Sequence, residues 1–170
     1  MIKLIDGKGG LGRALKKRLK YYKHLDCIIY HTWNLHDKSI QGQWNEFDKC
    51  IKKTCDYKKK KIVFISTLND NWSSYLKYKY ETEKWILGTS EISKVIRIPS
   101  IISDMGIFKR CLKNKPTNGK IEISTYDIIA EKILQSIDNN KRLEFIHGDM
   151  IEASTIYELI KYGSSNVGRK

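Results

Sequence analysis

A short apolar run, Ile2-Lys3-Leu4-Ile5, passes through Asp6 into Gly7-Lys8-Gly9-Gly10-Leu11-Gly12. Leu11, Leu15 and Leu19 then recur every fourth residue among lysines, the pattern of one apolar helix face. A G-x-G-x-x-G held between a strand and a helix restricts this chain more than any other feature it has. Gly7 permits the tight turn, Gly9 lets the backbone approach a ligand closely, and Gly12 lets the helix lie against the strand. The first turn of such a helix carries free N–H groups and a partial positive charge, which favour phosphate. The spacing alone is a weak signal, but the strand before it and the helix after it make it a nucleotide-binding loop by expectation.

The rest of the chain alternates in the same way. Asp26-Cys27-Ile28-Ile29-Tyr30-His31 reads as a buried strand, residues 33–42 as irregular, and 43–56 as a helix with Trp44, Phe47, Cys50 and Ile51 on one side. Ile62-Val63-Phe64-Ile65 is the strongest strand, β-branched and aromatic, and it ends in Ser66-Thr67. A polar loop, Asn69–Ser74, leads to a helix from about Tyr75 to Leu87, closed by Gly88. Val95–Ile98 is a strand ended by Pro99, and residues 100–123 are mixed. A helix over 125–138, capped by Ser124 or Thr125, a brief strand at Phe145-Ile146 and a last helix capped by Ser154 and carrying Ile156, Leu159 and Ile160 complete the pattern. Alternating strands and helices predict an α/β, Rossmann-like parallel sheet with helices on both faces. Ligands then bind at the carboxyl ends of the strands, near the switch in strand order. The first strand, 2–6, is expected beside the 27–31 strand and beside the 62–66 strand or its neighbour. One domain spans residues 1–162, and 163–170 form a flexible tail.

Composition excludes several classes. At 41% apolar residues the chain has material for a real core. No apolar run approaches the ~20 residues that cross a bilayer, and the N-terminus lacks the pattern of a signal peptide, so no membrane association is expected and the protein reads as cytoplasmic. Cys27, Cys50, Cys55 and Cys111 form no C-x-x-C pair and no histidines gather near them, so no metal site is expected. The formal net charge is +13, but the lysines run along the whole chain. The expectation is a solvated lysine surface, with weak, salt-dependent nucleic-acid binding of no sequence preference.

Three sets of residues carry chemistry. Around the glycine loop, Lys8 and Arg13 are placed to meet a 2′-phosphate. The Asp or Glu that holds an adenosine ribose about 20 residues past such a loop is missing: His31, Thr32 and Trp33 follow the strand instead. That tilts the expectation toward NADP over NAD, with His31 among the cofactor contacts. Second, Tyr75 and Lys79 are i and i+4 and share a helix face. A lysine ammonium favours the phenolate and lowers its pKa from ~10, which suits a tyrosine to proton transfer. Tyr80 and Lys84 repeat the spacing, but Tyr80 shares a stripe with Leu76 and Leu87 and is expected to pack. Third, Ser66 and Thr67 offer hydroxyls at the end of the central strand.

In this order the pieces resemble the short-chain dehydrogenase/reductase superfamily, its extended members above all: the NAD-dependent epimerases and dehydratases and the dTDP-4-dehydrorhamnose reductases. Gly10-Leu11-Gly12-Arg13-Ala14-Leu15 looks like their glycine-loop helix and Asp26–His31 like their fourth strand. Val63–Thr67 resembles the strand ending in the catalytic Ser or Thr, Tyr75-x-x-x-Lys79-x-x-x-Glu83 their Y-x-x-x-K-x-x-x-E helix. Val95-Ile96-Arg97-Ile98-Pro99 and Tyr126–Ala130 resemble the V-x-R-x-P strand and the V-x-D-V-A element. The resemblance implies Tyr75 as acid/base, Lys79 as its tuner and nicotinamide-ribose ligand, and Thr67 or Ser66 as third member. It implies NADP or NAD on Gly7, Lys8, Gly9, Gly10, Leu11, Gly12 and Arg13. A nucleotide-sugar or other small-molecule substrate, of a surface-polysaccharide type of pathway, follows, and a homodimer is compatible with it. The departures are a glycine loop one residue shorter than the usual pattern, a shorter stretch between Pro99 and Ser124, and the absence of the second and third strands. The last leaves the adenosine half of the site incomplete and keeps a second reading open, a non-catalytic nucleotide-sensing or partner-binding protein.

Overall fold

A computed structural model describes residues 1–34, 36–57, 59–68, 73–102 and 119–158. Along the chain lie β1 (Lys3–Ile5), α1 (Gly10–Arg18), β2 (Cys27–Tyr30), α2 (Ile40–Thr54), β3 (Lys61–Thr67) and α3 (Ser74–Thr89). They are followed by β4 (Lys94–Ile98), β5 (Ser100–Ile101), β6 (Lys120–Ser124), α4 (Tyr126–Ile137), β7 (Leu143–Phe145) and β8 (Asp149–Glu152). β1, β2, β3, β4 and β7 form a five-stranded sheet in that order, with every pairing parallel. A small second sheet has the order β5-β6-β8. The expected Rossmann-like parallel sheet is thus present. Of the expected features, Cys111, most of the Asn69–Ser74 loop, Leu159, Ile160 and the 163–170 tail lie outside the described residues.

The period-2 alternation of the strands builds two cores. Ile29, Val63, Ile65 and Ile96 pack with Leu11 and Leu15 of α1 and Ile129, Ile133 and Leu134 of α4. Ile28, Tyr30, Ile62, Phe64 and Val95 point the other way, toward Cys50 of α2 and Ile86 of α3. β2 is buried at all four positions, as a strand covered on both faces must be. β1 is short and half exposed, and it forms the sheet edge. It lies beside β2 but not beside β3, because β2, apolar on both faces, takes the inner place.

The connections have a consequence for the site. β2–α2–β3 and β3–α3–β4 step across the sheet in one direction with their helices on one face. β1–α1–β2 steps in the same direction with α1 on the opposite face, so it has the opposite hand. Parallel units are almost always right-handed, so one of the two senses is the rare one. The arrangement reads as a doubly wound sheet of order 3-2-1-4-5-6 without its strands 2 and 3. The first helix keeps the face it has when it leads toward strand 2.

Several boundaries differ from expectation for local reasons. α2 starts at Ile40, since the Ser39 hydroxyl accepts from the Gly42 N–H at 2.9 Å. Its buried side carries Gln43, Cys50 and Thr54, whereas Trp44 is 45% exposed. α3 runs through Gly88 to Thr89. Thr125, not Ser124, caps α4. β7 ends before Ile146, and the helical residues 153–158 begin before Ser154. At the far end of β4, Lys94 is buried and donates to Asn139 Oδ1 at 2.6 Å, with Glu144 at 3.3 Å.

α3 is fixed against the sheet by an ion pair between Glu83 and Arg97 of β4, at 2.6 Å to Nη2 and 3.0 Å to Nε. Breaking a fully buried pair costs about 3–5 kcal/mol, and here Arg97 keeps 25% of its side-chain exposure. Glu83→Ala is therefore expected to destabilise by about 2–3 kcal/mol in urea unfolding. A loss under about 0.5 kcal/mol, the scale of an exposed pair, would mean that this pair does not hold the helix.

Candidate functional site

α1 and α2 leave adjacent strands toward opposite faces, and in parallel sheets that is where ligands bind, at the carboxyl ends of the strands, here β1 and β2. The glycine loop leaves β1 there. Asp6 stands at φ 55°, a left-handed turn that swings the chain out of β1. Its carboxylate pairs with Lys53 of α2, and that hydrogen bond, with the charges of Lys53, Lys49 and Lys8, lowers its pKa. A Cβ on Gly12 would stand 2.6 Å from the Gly7 backbone, so the loop and α1 close against each other only with glycine there. A Cβ on Gly9 would meet nothing within 4 Å. Gly9 therefore faces open space, and it caps α1 without a side-chain hydrogen bond and with no acidic residue in the first turn. Backbone N–H groups and open room at Gly9 fit a phosphate.

The other loop residues divide. Gly10 lies under the Tyr126 ring, and Leu11 is buried in the core beneath α4, so Leu11 offers the loop only its backbone. Lys8 and Arg13 are exposed, and Arg13 donates to the Lys8 carbonyl at 2.9 Å. Among the described residues the sheet ends at β1, and His31, Thr32 and Trp33, not a carboxylate, come directly after β2.

The ends of β2 and β3 hold a buried polar cluster. His31 Nε2 and Ser66 Oγ are enclosed and have no hydrogen-bond partner, and the Tyr30 hydroxyl is enclosed next to Thr32. Buried polar atoms are nearly always paired, so such a group of exceptions marks a site and not a packing detail. Strand alternation puts Ser66 on the Phe64 side, toward α3, and Thr67 on the other. Lys79 enters from α3, 3% exposed, and donates to the Ile65 carbonyl at 2.9 Å. Its Nζ stands 4.5 Å from the Phe64 ring centre, 4.6 Å from that of Trp33 and 6.0 Å from that of Tyr75. Burial pulls its pKa down to about 7, against the charges of Glu83 and Glu46. Burial, helped by the Lys79 charge, pulls His31 down to about 4, so its imidazole is neutral near pH 7.

Thus Lys79 brings its ammonium to the end of β3, 6.0 Å from the Tyr75 ring centre and at the Ile65 carbonyl that precedes Ser66 and Thr67, and its charge reaches His31 after β2. The competing pair diverges: Tyr80 lies on the Arg97 guanidinium at 4.7 Å, and Lys84 is exposed and pairs with Glu81. Two residues without a sequence-level role complete the site. Trp33 packs edge-on against Phe64 and Tyr75 and donates its indole N–H to Gln43 Oε1 at 2.7 Å. Gln43, wholly buried, also donates to the carbonyls of Asn34 and Asp37. The signal for Trp33 was its place directly after the strand, where a ribose-binding acid is expected. A glutamine in an amphipathic helix gives no such signal. Among the described residues no group of His, Cys, Asp and Glu is arranged to hold a metal, and no helix is long and apolar enough to cross a membrane.

The depressed pKa values have a consequence for stability. Between the unfolded and folded pKa the unfolded chain binds more protons, so stability is complete above the unfolded value and is lost as pH falls. For His31 that window runs from 6.5 down to about 4. The melting temperature followed by circular dichroism should fall from pH 7 to pH 4.5, and His31→Gln should fall less. Parallel curves for the two proteins would refute the buried, neutral imidazole.

No family model matches the sequence, and no curated protein matches it. Solved structures do match. A dTDP-4-dehydrorhamnose reductase from Clostridium acetobutylicum superposes with a TM-score of 0.74 at 15% identity, over 96% of this chain and 80% of that one. A GDP-L-fucose synthetase from Naegleria fowleri gives 0.69 at 9% identity, over 96% and 78%. A dTDP-glucose 4,6-dehydratase from Bacillus anthracis, solved in complex with NAD, gives 0.59 at 12% identity, over 93% of this chain and 63% of that one. The chain therefore shares, in a shortened version, the Rossmann-like fold of these three enzymes.

Proposed function

We propose that the chain is an NAD(P)-dependent oxidoreductase or epimerase domain acting on a nucleotide sugar, with Tyr75 as acid/base. The observation that carries this reading is the buried Lys79, 6.0 Å from the Tyr75 ring centre and bonded to the Ile65 carbonyl next to Ser66, at the same end of a sheet whose first strand feeds a glycine loop open at Gly9. A nicotinamide bound there supplies hydride transfer. The chain's own groups do the rest. Gly7–Gly12 and the free N–H groups of α1 hold phosphate, with Lys8 and Arg13 at the rim for an additional phosphate. Ser66 orients a substrate oxygen by hydrogen bonding, with Thr67 as the alternative hydroxyl. Tyr75 gives a proton to that oxygen or takes one from it, and the Lys79 charge favours the phenolate. The nucleotide-sugar enzymes that share the fold support this substrate class.

The second reading, a non-catalytic nucleotide-sensing or partner-binding protein, is favoured by one feature: among the described residues the sheet stops at β1, where the adenosine half of such a site would lie. Turnover separates the two. Tyr75→Phe is expected to lower turnover by ~10²–10⁴, the usual contribution of a general acid/base, with nicotinamide binding and far-UV circular dichroism intact. Tyr80→Phe should leave turnover within twofold. Loss in Tyr80→Phe alone would move the acid/base five residues along the helix. Nucleotide binding without turnover of any nucleotide sugar by the wild type would favour the second reading. Gly9→Val, which fills the open space and strains nothing in the protein, should abolish nucleotide binding and leave the fold intact.

A further inference from the structure

We propose that Trp33, latched by Gln43, is a selectivity gate over Lys79: a nucleoside diphosphate reaches the glycine loop with the gate closed, whereas the nicotinamide half of a dinucleotide reaches Lys79 only by displacing the ring. The proposal rests on the reading that Gly7–Gly12 binds phosphate. The argument starts from strand order. The loop leaves the end of β1, and Ser66 and Lys79 stand at the end of β3, with β2 between them. A ligand that reaches from the loop to Lys79 must cross the end of β2, and Trp33 stands there. Its indole covers Lys79 at 4.6 Å and packs between Phe64 and Tyr75, which leaves Lys79 3% exposed.

Among the described residues the cover is held by ring contacts and one hydrogen bond, with no covalent or backbone tie to the residues below it. Trp33 belongs to the irregular stretch between β2 and α2, and its polar tether is the hydrogen bond to Gln43. Beneath it lies an ammonium with one carbonyl acceptor, Ile65, and the next residue of β3, Ser66, has an enclosed hydroxyl without a partner. An apolar lid over unpaired polar groups leaves their desolvation uncompensated. Displacing the lid returns those groups to water or ligand, at the expense of ring contacts and one hydrogen bond. The terms oppose each other, so the closed state is one that a ligand with differential affinity can shift.

The test uses the full chain as wild type, Trp33→Ala and Trp33→Phe. ADP and NADH are titrated by calorimetry, and carbamylation by cyanate is mapped lysine by lysine with mass spectrometry. ADP affinity should stay within twofold across the three proteins, while NADH affinity rises at least tenfold in Trp33→Ala and by an intermediate factor in Trp33→Phe. Carbamylation of Lys79 should rise at least tenfold in Trp33→Ala, with Lys94, buried at the opposite end of β4, still protected. The Lys79 arm needs no ligand: if the wild type binds neither ADP nor NADH, the phosphate reading of the loop fails and Lys79 exposure still decides the gate. Equal gains for ADP and NADH, or a wild-type Lys79 as reactive as surface lysines, would overturn the proposal. So would Lys79 and Lys94 becoming reactive together in both variants, since Trp33 would then hold the fold and not the site.

Discussion

The constraint on which the site depends is that α1 and α2, leaving neighbouring strands, lie on opposite faces of the sheet. Had both packed on one face, the ends of β1 and β2 would be roofed by helix. Their divergence marks the ligand end of the sheet, and the glycine loop stands there because β1 is the strand that feeds α1. Gly12 makes that arrangement possible at close range: the helix approaches so near that a Cβ would overlap the Gly7 backbone. The free N–H groups and the open side of Gly9 are two results of one packing decision.

The second dependence is electrostatic. Lys79 is a cation placed in an aromatic enclosure with one carbonyl acceptor. Desolvation wins there, pulling the pKa to about 7, and the ring faces of Phe64 and Trp33 with Glu83 one turn along the helix hold back only part of the loss. Glu83 in turn is committed to Arg97. The position of the ammonium therefore depends on β4 through an ion pair, and α3 has little freedom to withdraw it. The same field keeps His31 neutral and limits it to hydrogen bonding near pH 7.

Much of this was legible in the residues. The G-x-G-x-x-G between a strand and a helix, the β-branched run at 62–65 and the alternation of elements identified the sheet and its ligand end, because those features report local backbone needs and burial on both faces. The Tyr75–Lys79 face could be separated from Tyr80–Lys84 by helical phase. What stayed hidden was set by tertiary geometry. The edge position of β1 follows from which strands are missing, and missing strands leave no residues to read. Trp44 looks like core by composition but is exposed, since the helix is turned so that Gln43 can satisfy the backbone carbonyls of the preceding segment. A buried glutamine serving a loop has no periodic signature, so both the phase of α2 and the seating of Trp33 escaped prediction.

The shortened sheet and the covered lysine are best understood together. Among the described residues no strand lies beyond β1, so under the proposed function most of a ligand's binding energy comes from the phosphates and from what it meets past β2. A pocket that stood open there would expose Lys79 to water, raise its pKa toward the ordinary lysine range and weaken its hold on the Ile65 carbonyl. Covering it with an indole keeps the ammonium desolvated, and Ser66 beside it keeps unmet hydrogen-bonding capacity. Under the proposed gating that capacity is available to a ligand able to displace the ring, and the end of β2, more than the glycine loop, is then where nucleotides are told apart.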